Sequence, residues 1–167
     1  AYRHILGFED GDEIFKITPT AIDINDTRAL HVAELTRDAL RNMAHYIAGA
    51  DVVLCGASYR QDVGDTRYSG SEMVVRKLVE MGAEMKIHDP YVDHWYELET
   101  QDEYPSPGHS WKRFFRNQEH LTETTVLKDL PAALQGAEAV IFAVPHKAYL
   151  SLSPDDIVKW AGQPLAV

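Results

Sequence analysis

Val52-Val53-Leu54-Cys55-Gly56-Ala57-Ser58-Tyr59-Arg60-Gln61-Asp62-Val63-Gly64-Asp65-Thr66-Arg67-Tyr68-Ser69 passes from a short continuous apolar run into a dense polar segment. An uninterrupted run such as Val52 to Cys55 suits a strand in a sheet covered on both faces, and Gly56 lets the chain turn sharply or admits a close neighbour. Ser69-Gly70-Ser71-Glu72 then has capping-box spacing, with Ser69 as N-cap and Glu72 at the third helical position. The polar segment therefore lies between a strand's carboxyl end and a helix N-terminus, where open α/β sheets bind ligands and where amide dipoles favour an anion.

Downstream, the spacing predicts a helix over 69–81 closed by Gly82, and a second strand, Glu84-Met85-Lys86-Ile87-His88-Asp89, ending at Pro90. Strand, helix and strand within so short a span make a βαβ unit with parallel strands. Residues 93–125 break this rhythm with charge, aromatics and Tyr104-Pro105-Ser106-Pro107-Gly108. They are expected to form a surface insertion, with one short helix near Trp111 to Gln118. The pattern resumes with Val126-Leu127, a helix from Leu130 to Leu134 capped by Asp129, and the apolar strand Ala139 to Val144. Ser153-Pro154-Asp155-Asp156 is a strong helix start, Gly162 stops that helix, and Pro164 to Val167 begins another strand.

Upstream, residues 1–24 show no sustained period and are expected to be the tail of a preceding domain. Asn25 and Asp26 are competent N-caps, and no Gly or Pro follows before Ile47, which predicts one long helix over 25–48, on the order of 30 Å in length. One apolar stripe is Leu30, Ala33, Leu40, Ala44 and Ile47, and a second is Val32, Leu35, Ala39, Met43 and Tyr46. Two stripes imply a helix covered on two sides. Residues 49–167 then form the main α/β domain, a doubly wound, mainly parallel Rossmann-like sheet.

Composition sets outer limits. The chain has 167 residues, 45% hydrophobic and 25% charged, enough for one domain with a sizeable core. A net charge of -10 argues against sequence-independent nucleic-acid binding and against an anionic membrane surface, because both need a basic face. Trp111, Lys112, Arg113 and Arg116 make a local basic run, but acidic residues surround it in sequence. No apolar run approaches the roughly 20 residues of a spanning helix, and no signal-peptide core follows Ala1-Tyr2-Arg3-His4, so a cytoplasmic protein is expected. The single cysteine, Cys55, rules out an internal disulfide and reads as a core residue. The eight histidines have no metal-ligand spacing. A Gly-x-Gly-x-x-Gly dinucleotide fingerprint is absent.

The run from Gly56 to Ser69 resembles the loop opening the C-terminal, nucleotide-sugar-binding domain of the UDP-glucose/GDP-mannose dehydrogenase family. That loop reads Gly, two small or apolar residues, an aromatic, Lys, any residue, Asp or Asn, two residues, Asp, any residue, Arg, any residue, Ser. Further resemblance runs through Ala21 to Asp26, Gly82-Ala83 to Asp89-Pro90, and Gly136 to His146, so it covers most of residues 21–150. It implies an NAD-dependent enzyme that oxidises the primary alcohol of a UDP-sugar, or a related nucleotide sugar, to a carboxylate. The family's catalytic cysteine motif, Gly-Gly-x-Cys-x-Pro, is missing, so no catalytic residue is expected here and NAD would be bound mainly by a preceding domain. The resemblance also makes the helix over 26–47 an interdomain connector and a homodimer contact, and places further nucleotide contacts, an arginine among them, beyond Val167.

Carried over residue by residue, the resemblance gives Tyr59 and Arg60 to the sugar nucleotide, with Arg60 standing where the family has Lys. Arg keeps the charge and adds a fork suited to phosphate oxygens. The alternative is a solvated loop arginine. Arg67 matches the arginine that reaches toward NAD. Asp62 and Asp65 read as loop organisers through bonds to backbone amides. Asp89 ends its strand where nucleotide-binding folds often carry a ribose-binding acid. His146 matches a position near the ligand face, where capping of the strand end is the other reading. A free-standing nucleotide-binding module and a small NAD-binding oxidoreductase are the rival functions.

Overall fold

Asp51–Cys55 forms the central strand β1, and its four apolar residues are buried to completion. The computed structural model describes residues 17–100 and 118–167. Helix α1 spans Ile17–Thr27 and α2 spans Ala29–Asn42. After β1 come α3 (Gly70–Glu80), β2 (Glu84–His88) and the short α4 (Tyr96–Thr100). A 3-10 helix (Glu119–Glu123), β3 (Val126–Leu127), α5 (Leu130–Leu134), β4 (Ala139–Phe142), α6 (Lys147–Leu150) and α7 (Pro154–Ala161) complete the order.

The sheet is parallel, with strand order β3-β2-β1-β4. Val52 and Leu54 pack with Ala33 and Leu40 of α2 and Val74, Val75 and Leu78 of α3, while Val53 and Cys55 pack with Ala133 and Leu134 of α5 and Ile157 of α7. Alternate residues thus feed opposite faces, and both faces are covered, which is why the run is apolar throughout. A fifth position starts at Ala166, which bridges Ala139 in parallel. The α/β, doubly wound, Rossmann-like architecture is the one expected.

Local signals decide several boundaries. Ser153 Oγ accepts the Asp156 amide at 3.1 Å, and Gly162 closes α7 at φ 76°. At α3 an N-cap forms, at the second helical position rather than the third, but the reciprocal bond of a capping box does not. Ser69 Oγ accepts the Ser71 amide, but Glu72 turns to Arg76 Nε at 2.8 Å, and the Ser69 amide donates to the Thr66 carbonyl instead. Asp129 makes no side-chain cap; its carbonyl accepts the Ala133 amide, so α5 starts on backbone bonding alone.

Two expectations need correction. The single helix over 25–48 is two helices that begin eight residues earlier, at Ile17, meet at Arg28 and stop at Asn42. The stop is a Schellman end in which the Ala44 amide donates to the Arg41 carbonyl and the His45 amide to Leu40. Ala44 takes the left-handed conformation usually left to glycine, at φ 64°, which hides the boundary from a reading based on Gly and Pro. Secondly, residues 93–125 are not wholly a surface insertion. Trp95 and Leu98 are fully buried and Leu121 nearly so, all within the core cluster on the α2–α3 side. All but Gln118 of the short helix expected near Trp111 to Gln118, the basic run Trp111 to Arg116 and the tail residues 1–16 lie outside the described residues.

Candidate functional site

Three segments meet at the carboxyl ends of adjacent strands: 56–69 after β1, 89–92 after β2 and 143–147 after β4. Because β1 sends its chain toward β2 on one side and receives β4 on the other, this is the reversal point at which open α/β sheets bind ligands.

Gly56 starts the loop at φ 106°, and a Cβ there would lie 2.7 Å from Val144 Cβ and 2.9 Å from the Val144 amide nitrogen. Gly64 is similarly confined, since a Cβ would meet the Tyr91 carbonyl oxygen at 2.6 Å. Only glycine allows the loop to press against both neighbours. The loop closes on itself where the Tyr59 amide donates to the Asp65 carbonyl at 2.8 Å, and it is tied down at its ends by Ser69 Oγ donating to the Ser58 carbonyl and Ser71 Oγ to the Gly56 carbonyl.

Asp89 is fully buried and anchors two segments at once. Its Oδ2 accepts the amides of Ala57 (2.8 Å) and Ser58 (3.2 Å), and its Oδ1 those of Tyr91 (2.7 Å) and Val92 (3.2 Å). Four backbone donors occupy this carboxylate, so it is an internal anchor and not the ribose-binding acid its position suggested. His146, also fully buried, joins the third segment. The Asp62 amide donates to Nδ1 at 2.8 Å, while Nε2 lies 3.2 Å from both Asp89 Oδ2 and Ser58 Oγ. An amide can only donate, so Nδ1 is the acceptor and the ring proton sits on Nε2.

Asp62 itself has φ 56°. Its carboxylate accepts the Lys147 amide at 3.0 Å and the Tyr91 hydroxyl at 3.1 Å; the Lys147 amide is the main cause holding its carboxyl below the usual carboxylate range. Asp65 accepts the Arg67 amide and receives the Arg67 guanidinium at 2.9 and 2.7 Å, and that pairing brings its carboxyl to about 2. Arg67 remains 71% exposed. Behind it the Thr66 hydroxyl donates to Glu97 Oε2 of α4 at 2.7 Å, both groups buried. Burial pushes Glu72 up despite Arg76 beside it.

Tyr59 (49% exposed) and Arg60 stand at the outer end of this braced loop. The Arg60 carbonyl accepts the Ser58 hydroxyl at 3.1 Å, while its guanidinium has no hydrogen bond or ion pair among the described residues. The structure thus gathers Asp62, Asp65, Arg67 and Ser69 into one bonded loop and leaves the side chains of Tyr59 and Arg60 exposed. Ser58, Tyr91 and Lys147 belong to the site but were not singled out in the sequence. Their contacts with the loop cross between segments far apart in the chain, and no local pattern announces them. Cys55 offers no nucleophile: burial, with the Asp89 charge adding to it, pushes its thiol up to about 12. Among the described residues no group of three His, Cys, Asp or Glu is placed to hold a metal, and no helix is long and apolar enough to cross a membrane.

The chain is 27% identical over 143 residues to UDP-N-acetyl-D-mannosamine dehydrogenase of Methanocaldococcus jannaschii, covering 85% of this chain and 26% of that protein. It is 26% identical over 147 residues to UDP-glucose 6-dehydrogenase of Bos taurus, covering 88% of this chain and 28% of the relative. It therefore spans about a quarter of the length of the curated relatives it matches. Its fold is similar to that of an NDP-N-acetyl-D-galactosaminuronic acid dehydrogenase from Methanosarcina mazei, with a TM-score of 0.70 and 23% identity over 93% of this chain and 27% of the other. A UDP-D-ManNAc dehydrogenase from Pyrococcus horikoshii gives a TM-score of 0.67 at 21% identity, over 90% of this chain and 28% of that one. Residues 53–167 match the model of the UDP binding domain of the UDP-glucose/GDP-mannose dehydrogenase family, and with the loop, the strand order and these relatives in agreement, the chain belongs to that family.

Proposed function

We infer that this domain holds the nucleotide part of a UDP-sugar, or of a related nucleotide sugar, at the carboxyl ends of β1, β2 and β4. It does so as the C-terminal part of an NAD-dependent dehydrogenase that oxidises the sugar's primary alcohol to a carboxylate. The observation that carries this reading is the contrast within one loop. Its backbone is fixed by bonds to Asp89, His146 and Asp65, while the Arg60 guanidinium is exposed and unpaired among the described residues. A free guanidinium on a braced loop is preorganised for an anion, and a diphosphate offers the paired oxygens that its fork fits. Tyr59 supplies an aromatic surface beside it.

NAD, when bound, supplies the hydride acceptor. Of this chain's residues Arg67 fits a role toward it, because Asp65 orients the guanidinium through two hydrogen bonds and leaves it exposed. Residues 26–47 form a homodimer contact in this reading, supported by Leu35, 54% exposed on the helix that buries Ala33, Thr36 and Leu40, and by Tyr46, 87% exposed just past that helix's end.

Calorimetry on the full-length protein tests the assignment. Arg60→Ala is expected to cost about 1.5–3 kcal/mol of UDP-sugar binding, the scale of a charge-assisted hydrogen bond, Arg60→Lys less, and NAD affinity should stay nearly constant. Equal UDP-sugar affinity in wild type and both variants overturns it.

A further inference from the structure

His146 touches the loop at two points that matter for where Arg60 stands. Through Nδ1 it takes the Asp62 amide, holding that residue in its left-handed conformation two positions after Arg60. Through Nε2–H it reaches Ser58 Oγ, and Ser58 Oγ in turn donates to the Arg60 carbonyl at 3.1 Å. The imidazole is therefore bonded on both sides of the Tyr59-Arg60 pair. It is fully buried, and fully buried Asp89 at 3.2 Å from Nε2 fixes the ring from behind. A ring placed at this depth exchanges nothing with a ligand directly; its only route to one is the loop it shapes.

We propose that His146, acting through Ser58 and Asp62, is the positioning residue that sets the Arg60 backbone for an incoming nucleoside diphosphate. This rests on the reading that Arg60 meets the diphosphate. Loss of the imidazole removes both of these ties. The Ser58 amide on Asp89, the Tyr59 amide on the Asp65 carbonyl and the Asp62 carboxylate on Lys147 and Tyr91 still hold the segment's ends. The stretch through Arg60 loosens, so Arg60 must be ordered again at each binding event, and affinity falls without any contact to the ligand being deleted.

The test measures the Kd of UDP by calorimetry on the full-length protein carrying Ser58→Ala, His146→Ala, His146→Asn or Arg60→Ala, and the Ser58 and His146 changes combined with Arg60→Ala. Ser58→Ala and His146→Ala should each raise Kd about tenfold, the scale of a lost buried hydrogen bond. His146→Asn, whose Oδ1 can still take the Asp62 amide, should recover part of that. In the Arg60→Ala background the same changes should add much less, because the charged group they position for the diphosphate is gone. A merely structural role predicts equal penalties in both backgrounds, and that result overturns the proposal. If Arg60→Ala weakens binding while Ser58→Ala and His146→Ala do not, the assignment of His146 fails and the nucleotide site stands; if Arg60→Ala leaves Kd unchanged, both fall. Should His146→Ala not fold, Ser58→Ala, which deletes one oxygen, makes the same comparison.

Discussion

Gly56 and Val144 are packed so closely that a methyl group on the glycine would lie 2.7 Å from Val144 Cβ and 2.9 Å from the Val144 amide nitrogen. Gly56→Ala is accordingly expected to destabilise by at least about 3 kcal/mol, combining a forbidden φ with a clash against backbone. Gly49→Ala is the control, since Gly49 has φ 80° with nothing within 4 Å and should cost only about 1–2 kcal/mol. Urea unfolding of the two variants measures the difference, and equal costs would show that packing against Val144 is irrelevant.

Ala44 ends α2 in the left-handed region, where a side chain brings strain that glycine avoids. Ala44→Gly should therefore raise stability, by about 1 kcal/mol. A thermal melt is sufficient, and a lowered midpoint would contradict the Schellman end described above.

The Arg67 guanidinium and amide bring the Asp65 carboxyl from 3.8 down to about 2. Since the folded value is depressed, the stabilisation from this contact is present above about pH 4 and is lost as pH falls through about 2. Carbon-detected NMR titration should place the Asp65 midpoint near 2 in the wild type and return it toward 3.8 in Arg67→Ala. An unchanged midpoint in the variant would mean that the bonds at 2.9 and 2.7 Å do not persist in solution.

Leu35 is exposed on α2 and Met43 is half-buried at its end. Charged residues at both positions are expected to lower the sedimentation mass by one half if α2 makes the dimer contact, leaving the fold unchanged. A wild-type protein that stays monomeric at high concentration would falsify the dimer proposal.

Much of the architecture could be read from local signals, because those signals act locally. The run Val52 to Cys55 announces a strand covered on both faces, and Ser153 with Gly162 brackets α7 by capping chemistry that involves only neighbouring residues. The boundary at Ala44 could not be read, since the residue type there opposes the conformation it adopts. Trp95 and Leu98 looked like parts of a charged surface insertion, and only their burial beside α3 shows otherwise. At the site, Asp62 and Asp65 could be picked out as loop residues. The convergence of Asp89, His146 and Ser58 could not, because those partners are 31 to 88 residues apart and meet only when the strands have ordered themselves.

The central place of β1 also bears on how the protein is made. Its loop meets Asp89 across 32 residues, whereas its other edge is completed by a partner 87 residues away, where the Asp51 amide meets Glu138. On a ribosome adding roughly 5–20 residues per second, β1 and β2 can pair while one side of Val52 to Cys55 stays bare for roughly 3 to 10 seconds. An apolar strand edge left open that long invites association with other unfinished chains. Conditions that slow synthesis between residues 90 and 139 should therefore lower the soluble yield.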